Sequence, residues 1–258
     1  MTDNHVKAAL GAALLALSQA TFAAPTIVNG NFEDTGSRTS SYAMLGSNRG
    51  DAAIPGWTLG TIPGTTGAYP NVNNPLNCLM HASQTTGLCG PTNQGPSGAW
   101  QFWQYPGLSP AGGNFFGGDG DTSIHAAISQ TVTGLTPGQQ YTLSFYQAAA
   151  QQQGFNGVTT ERWQVTFGGE TQFSTLMNTA DHGKTDWNAQ SLTFTATSGS
   201  QVLSFLAQGT PNGQPPFVLL DGVSIAAVTA VPEPATALLF AGGLFGLTLA
   251  RRQRKSRD

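Results

Sequence analysis

Charge is what this chain has least of. Only 9% of its 258 residues are Asp, Glu, Lys or Arg, against about 25% in an ordinary soluble domain. Between residues 24 and 230, ten acids face four bases and no basic stripe forms. That argues against nucleic acid as a partner, because binding it depends on Lys and Arg neutralising phosphates. Cysteine is almost missing as well: Cys78 and Cys89 are the only two. Their spacing is not Cys-x-x-Cys and His81 is the only histidine nearby, which argues against zinc. No sustained helical period runs between the two ends, and no repeat recurs at a fixed spacing. The sequence has neither a Gly-x-Ser-x-Gly elbow nor a His-Glu-x-x-His pair. It also lacks a comfortable membrane span. Its C-terminal uncharged run, residues 235–250, would reach about 24 Å as a helix at ~1.5 Å per residue, short of the ~30 Å hydrocarbon core.

The two ends nevertheless point to export. Residues 8–17 (AALGAALLAL) form a short apolar region, and Ser18-Gln19-Ala20-Thr21-Phe22-Ala23 supplies small residues for a cut after Ala23. Residues 1–23 therefore read as a signal peptide, although Lys7 is the only lysine before the apolar region. At the other end, Pro232-Glu233-Pro234 is rigid and extended, because each proline fixes its own φ and disfavours helix before it. The short apolar segment follows as a single helix. A basic cluster then closes the chain at Arg251, Arg252, Arg254, Lys255 and Arg257. Apolar run then positive charge is a stop-transfer pattern.

Residues 231–258 resemble the PEP-CTERM sorting signal of Gram-negative bacteria, through Pro232, Glu233 and Pro234, the glycine-containing apolar run, and Arg251-Arg252. The resemblance implies an exosortase as partner and a precursor held transiently at the inner membrane. It further implies a product at the cell surface or outside the cell after cleavage.

Residues 24–230 read as one domain rich in Gly, Thr, Ser, Asn and Gln, with many short β-prone runs and polar turns. Expected strands include 26–33, 99–105, 124–132, 140–146, 162–167, 191–197, 201–207 and 217–228. Tyr141, Leu143 and Phe145 share one face. The turn 133–138 predicts a hairpin between 124–132 and 140–146. Residues 112–122 read as a glycine-aspartate loop, and 147–153 as one or two helical turns. The stretch 59–98 is long enough to carry short strands or a functional surface. Together these predict an all-β fold, a two-sheet antiparallel sandwich.

The opening Val28-Asn29-Gly30-Asn31-Phe32-Glu33 with Ile54-Pro55-Gly56-Trp57 resembles the start of galactose-binding-like jelly rolls, Gln130-Thr131-Val132 with Leu135-Thr136-Pro137-Gly138 and Tyr141-Thr142-Leu143-Ser144-Phe145 resembles their central hairpin, and Leu219-Leu220-Asp221-Gly222-Val223-Ser224-Ile225 resembles their closing strand. Many such domains bind carbohydrate. The resemblance implies a structural calcium where the first and last strands meet, held by Glu33 and Asp221 with the Asn31 carbonyl. Calcium prefers such hard oxygen ligands. Gly222 stands where relatives often offer another acid. Gly118-Asp119-Gly120-Asp121-Thr122 also looks like a calcium loop, but it lacks the later ligands of an EF-hand.

In an exported chain Cys78 and Cys89 read as one disulfide, contributing roughly 2–3 kcal/mol by closing about a dozen residues. Sugar binding needs flat aromatics beside Asn, Gln and Asp. Of the candidate platforms, Trp57 and Trp163 are expected in the core, and Trp103, Tyr105 or Trp187 at a surface. The functional expectation is a non-catalytic exported protein of the cell surface or extracellular matrix that binds carbohydrate or exopolysaccharide. Two alternatives stand beside it: a structural surface protein without sugar specificity, and a secreted hydrolase. A hydrolase would draw on Asp181-His182 with Asp186, or on two carboxylates among Glu161, Glu170, Asp119 and Asp121.

Overall fold

Every regular element described in the computed structural model is a β-strand, and the structure describes residues 24–36, 43–45, 54–60, 77–81, 102–122 and 126–229. Its strands in chain order are β1 (Ala43–Leu45), β2 (Thr58–Leu59), β3 (Asn77–His81), β4 (Asn114–Asp119), β5 (Ile128–Thr133) and β6 (Gln140–Gln151). They continue as β7 (Thr159–Phe167), β8 (Glu170–Phe173), β9 (Met177–Thr179), β10 (Asn188–Thr195), β11 (Ser200–Thr210) and β12 (Pro216–Ala227). The fold is all-β, and the described residues contain no helix. Among them, none is long and apolar enough to cross a membrane. The signal peptide, the C-terminal helix, Cys89 and the residues Pro232, Glu233, Pro234, Arg251 and Arg252 all lie outside the described residues, and with Cys89 so does the expected bridge to Cys78.

Two antiparallel sheets form. Sheet A has the order β1-β3-β4-β12-β6-β10, and sheet B the order β2-β5-β11-β7-β8, with β9 also paired to β7. Between them lies the main core. Tyr141, Leu143 and Phe145 of β6 point into it, as do Trp163, Val165 and Phe167 of β7. Phe205 of β11 is its hub, with ring centroids 5.1 Å from Phe145, 5.9 Å from Trp163 and 6.2 Å from Trp57. Both buried indoles have partners: Trp163 Nε1 donates to the Leu219 carbonyl at 3.1 Å and Trp57 Nε1 to the Asn29 carbonyl at 3.0 Å. These bonds offset the desolvation that a buried N–H would otherwise cost.

Sheet A is covered on its outer face too. Phe115, Ala148, Ala150, Phe217 and Leu219 point away from the main core and pack under Phe102, with Tyr105 and Trp187 against them. The segment from Phe102 to Gly112 thus forms a third layer. This explains two departures from expectation. Residues 112–122 contain a strand, β4, because both faces of Asn-Phe-Phe-Gly-Gly-Asp are buried and the polar half of the alternation is lost. Residues 147–151 continue β6 instead of forming helical turns, because Ala148 and Ala150 are the small residues that fit beneath the cover.

Other expectations also change. The hairpin of 124–132 with 140–146 does not form: β5 pairs β2 and β11 in sheet B, whereas β6 pairs β10 and β12 in sheet A. The turn between them arches across the sandwich. It is pinned to the matching β10–β11 crossover by Gly138 N–H to the Ala196 carbonyl at 2.7 Å and Leu135 N–H to the Gly199 carbonyl at 3.1 Å. The Tyr141 hydroxyl accepts from Thr136 N–H at 2.9 Å. Residues 26–33 form turns, not a strand, since Asn29 and Phe32 adopt positive φ (48° and 54°). Of the expected strand 99–105, the described part offers one isolated bridge, Phe102 to Gln152.

Candidate functional site

The far end of β6 gathers three segments. Gln151 accepts Trp103 N–H at 3.0 Å through its carbonyl, and its own N–H donates to the Gly183 carbonyl at 3.2 Å. Its side chain works twice more: Oε1 accepts His182 N–H at 2.6 Å, and Nε2 donates to the Gly157 carbonyl at 2.8 Å. One buried glutamine therefore fastens the 180–184 turn and the 153–158 loop to the strand beside Trp103.

On this frame Trp103 is the half-exposed aromatic, at 38%. Its Nε1 donates to the Phe155 carbonyl at 3.0 Å, and its ring lies 4.0 Å from the His182 ring at 34°. His182 takes a positive φ of 58°, a cost that only surrounding bonds repay. Those bonds are Gln104 Nε2 to the His182 carbonyl at 3.1 Å, His182 Nε2 to Asn156 Oδ1 at 2.6 Å, and the Gln151 contact above. Asp181 Oδ1 accepts Gly157 N–H at 2.6 Å and lies 3.5 Å from His182 Nε2. The result is a tilted indole ringed by an amide, a carboxylate, an imidazole and a second amide. An indole offers a flat apolar face, and the ring of donors and acceptors suits hydroxyls.

The other two sequence candidates lie deeper. Tyr105 packs on Phe102 at 5.2 Å, and burial raises the pKa of its hydroxyl. Trp187 meets Phe115 edge-on at 5.3 Å and donates Nε1 to the Gly107 carbonyl at 3.1 Å. Both hold the cover down on sheet A.

Of the residues suggested for hydrolysis, Asp119 and Asp121 lie side by side. Asp186 pairs with Lys184, not with His182. Among the described residues no hydroxyl hydrogen-bonds the His182 ring. Glu161 is buried in the β7–β9 region and accepts from Thr179 Oγ1 at 2.7 Å, while Glu170 sits exposed at the β7–β8 turn holding Gln172 at 2.8 Å. Asp119 is fully buried and accepts Asp121 N–H at 2.8 Å. Desolvation pushes both Glu161 and Asp119 up to about 7.

Glu33 and Asp221 do come together, 188 positions apart in sequence. Val223 N–H donates to the Gly30 carbonyl at 2.9 Å and ties the N-terminal turns to β12. Glu33 accepts from Asn114 N–H at 2.7 Å and from Asn114 Nδ2 at 3.2 Å. Asp221 is 0% exposed. Its Oδ1 accepts Gly222 N–H at 2.7 Å, and its Oδ2 is buried without a partner. Burial pushes its carboxyl up to about 7; the Ser109 hydroxyl and Gly222 N–H pull the other way, and the Glu33 charge adds a smaller upward push. Asn31 sits two residues before Glu33 in the same exposed turn.

Gly222 has a structural reason of its own. β12 carries a bulge between Asp221 and Ser224, where Gly222 takes a φ of 61°. A Cβ there would stand 2.7 Å from the Ala111 Cβ and 2.9 Å from the Tyr146 ring. Among the described residues no group of three or more His, Cys, Asp or Glu gathers as a metal cluster. Asn114 and Ser109 were not legible as partners of these acids, since they come from the cover and β4, far away in sequence.

Residues 120–226 match a family model described as a protein of unknown function (DUF642). Residues 230–255 match the PEP-CTERM protein-sorting motif. The chain ends in a PEP-CTERM sorting signal. The PEP-CTERM signal implies an exported protein sorted by an exosortase. No curated protein matches the chain. Among solved structures, the enzymatically active domain of bacteriophage CBA120 tailspike protein 4 is similar at 13% identity and a TM-score of 0.34, over 68% of this chain and 20% of that one. This chain thus spans about a fifth of the length of that tailspike domain. TmCBM61 in complex with β-1,4-galactotriose is similar at 13% identity, TM-score 0.36, over 78% and 96%. The CBM22-1 xylan-binding domain of Paenibacillus barcinonensis Xyn10C is similar at 17% identity, TM-score 0.31, over 55% and 91%.

Proposed function

We propose that residues 24–230 form a non-catalytic jelly-roll module that binds carbohydrate, carried by a protein acting at the cell surface or in its polysaccharide matrix. The PEP-CTERM tail holds the precursor at the inner membrane until an exosortase cuts it. The observation that carries the binding reading is Trp103, a half-exposed indole fixed by Phe155 and His182 and ringed by Gln104, Asn156 and Asp181. A sugar ring would stack its C–H face on the indole and place its hydroxyls against the amides and carboxylate. A glycan array probed with exported protein tests this. Native protein should mark a defined set of neutral glycans and Trp103→Ala should lose them; a native protein that marks none overturns the reading.

We propose further that Glu33 and Asp221 hold a calcium ion, with the Asn31 carbonyl. The support is the buried Asp221 Oδ2 that lacks a partner, beside a second carboxylate whose charge it feels. A divalent cation would supply the countercharge this pair lacks and join the N-terminal turns to β12.

A further inference from the structure

Sheet B exposes a second feature, on the opposite layer from Trp103. A cleft of about 410 Å3 opens on its outer face, lined by Thr160 and Arg162 of β7, Gln208 and Thr210 of β11, Thr122 and Leu176. These strand residues are the outward half of the alternation whose inward half is Glu161, Trp163 and Ala207. Register fixes the pattern: Arg162 stands opposite Gln208, and Thr160 opposite Thr210.

Arg162 makes no ion pair with an acid among the described residues. The ion pairs among the described residues are Asp181 with His182 and Lys184 with Asp186, and neither involves it. Its guanidinium carbon lies 4.1 Å from the centre of the Phe173 ring, and its Nε donates to Gln208 Oε1 at 3.3 Å. Gln208 in turn donates to Gln164 Oε1. The ring and the amide chain hold the guanidinium in one place and occupy its Nε, while the terminal N–H groups hydrogen-bond no described residue. A planar fork so held is suited to a planar carboxylate, which it can grip with two parallel bonds. Stacking on Phe173 lowers the entropy lost when that grip forms. Around the fork stand two threonine hydroxyls 2.6 Å apart, Thr160 and Thr210, and the glutamine amides. Leu176, half-exposed, adds an apolar edge.

We infer that this cleft binds a uronic acid residue of an acidic polysaccharide, with Arg162 gripping the sugar carboxylate and the threonines and glutamines meeting its hydroxyls. In a domain with ten acids and four bases, an arginine with no ion pair among the described residues also favours one sign of ligand: an anion is drawn to this cleft. The site is separate from Trp103 and does not depend on it.

Affinity electrophoresis of the full exported protein tests the assignment, with gels containing polygalacturonate, neutral galactan, dextran sulfate or polyglutamate. Polygalacturonate should retard the native protein, and Arg162→Gln should weaken that at least tenfold. Arg162→Lys should fall between, since it keeps the charge but loses the fork. Thr160→Val with Thr210→Val gives a second test on the sugar hydroxyls and should also weaken retardation, with melting temperatures confirming that each variant is folded. Trp103→Ala should leave polygalacturonate retardation unchanged. Native protein that ignores polygalacturonate, or a folded Arg162→Gln that still binds it, overturns the proposal. Equal retardation by dextran sulfate would overturn the carboxylate assignment, and equal retardation by polyglutamate the sugar assignment.

Discussion

Replacing Glu161 with glutamine isolates the cost of one buried charge. Glu161 is fully buried in β7, with Oε2 accepting from Thr179 and Oε1 without a partner. Desolvation raises its pKa from 4.5 to about 7, while the hydroxyls of Thr159 and Thr179 lower it in part. The folded chain thus holds this proton more tightly than the unfolded chain. Stability is full below pH ~4.5 and falls as pH rises toward 7, where the folded protein must ionise the buried group. A shift of about 2.5 units at ~1.4 kcal/mol per unit is a cost on the order of 3 kcal/mol above pH 7. Glutamine keeps the shape and cannot ionise, and its new N–H donors can meet the nearby Thr159 hydroxyl. Thermal melts of native and Glu161→Gln protein from pH 4 to pH 9 should therefore diverge. The two should lie close at pH 4, and the variant should melt higher at pH 8, by roughly 6–12 °C at ~2–4 °C per kcal/mol. Asp119 titrates in the same direction in both proteins, so it cancels in the difference. A gap between the two curves that does not change with pH would refute the reasoning.

Replacing Pro232, Glu233 and Pro234 with alanines should leave precursor in the inner membrane, and equal release of mutant and native protein on cell fractionation would contradict the sorting account. Chelator should lower the melting temperature of native protein and calcium restore it, by about 2.7 kcal/mol at a hundredfold excess over Kd; Glu33→Ala should abolish the response, and a native melt indifferent to calcium rules the site out. Gly222→Ala should cost roughly 1–3 kcal/mol, because alanine at φ 61° is strained and its Cβ meets Ala111 and Tyr146; an unchanged denaturant midpoint would show that the bulge relaxes freely.

The strands that announced themselves in the sequence are those with one wet face. β7, β10 and β11 alternate because sheet B and the edge of sheet A meet solvent on one side. The first half of β6 does so for the same reason, and Tyr141, Leu143 and Phe145 fall on the core side as alternation predicts. Alternation disappears where the cover lies over sheet A. There Phe115 and Phe116 are both buried, on opposite faces, and β4 loses its period. Residues 26–33 carry β-prone side chains, but positive φ at Asn29 and Phe32 bends them into turns, and local propensity does not register such a backbone. Sheet membership was equally hidden. The turn at 133–138 looks like a hairpin turn, yet its bonds to residues 196 and 199 carry it between sheets. At the candidate sites, Trp103 was legible as an aromatic among polar residues. Its partners Asn156 and Asp181 were not, because loops 52 to 78 residues away bring them there. In the sequence Arg162 is one strand residue among others, because its lack of an acid among the described residues shows only in the fold.

The central claim is a sugar stacked on Trp103, and titration calorimetry with the oligosaccharide that marks the array most strongly tests it most directly. Trp103→Ala should weaken binding at least tenfold, about 1.4 kcal/mol, with an unchanged melting temperature, while Trp103→Phe should recover part of the loss because it restores a flat apolar face. A folded Trp103→Ala protein that binds the same sugar with native affinity would contradict the account.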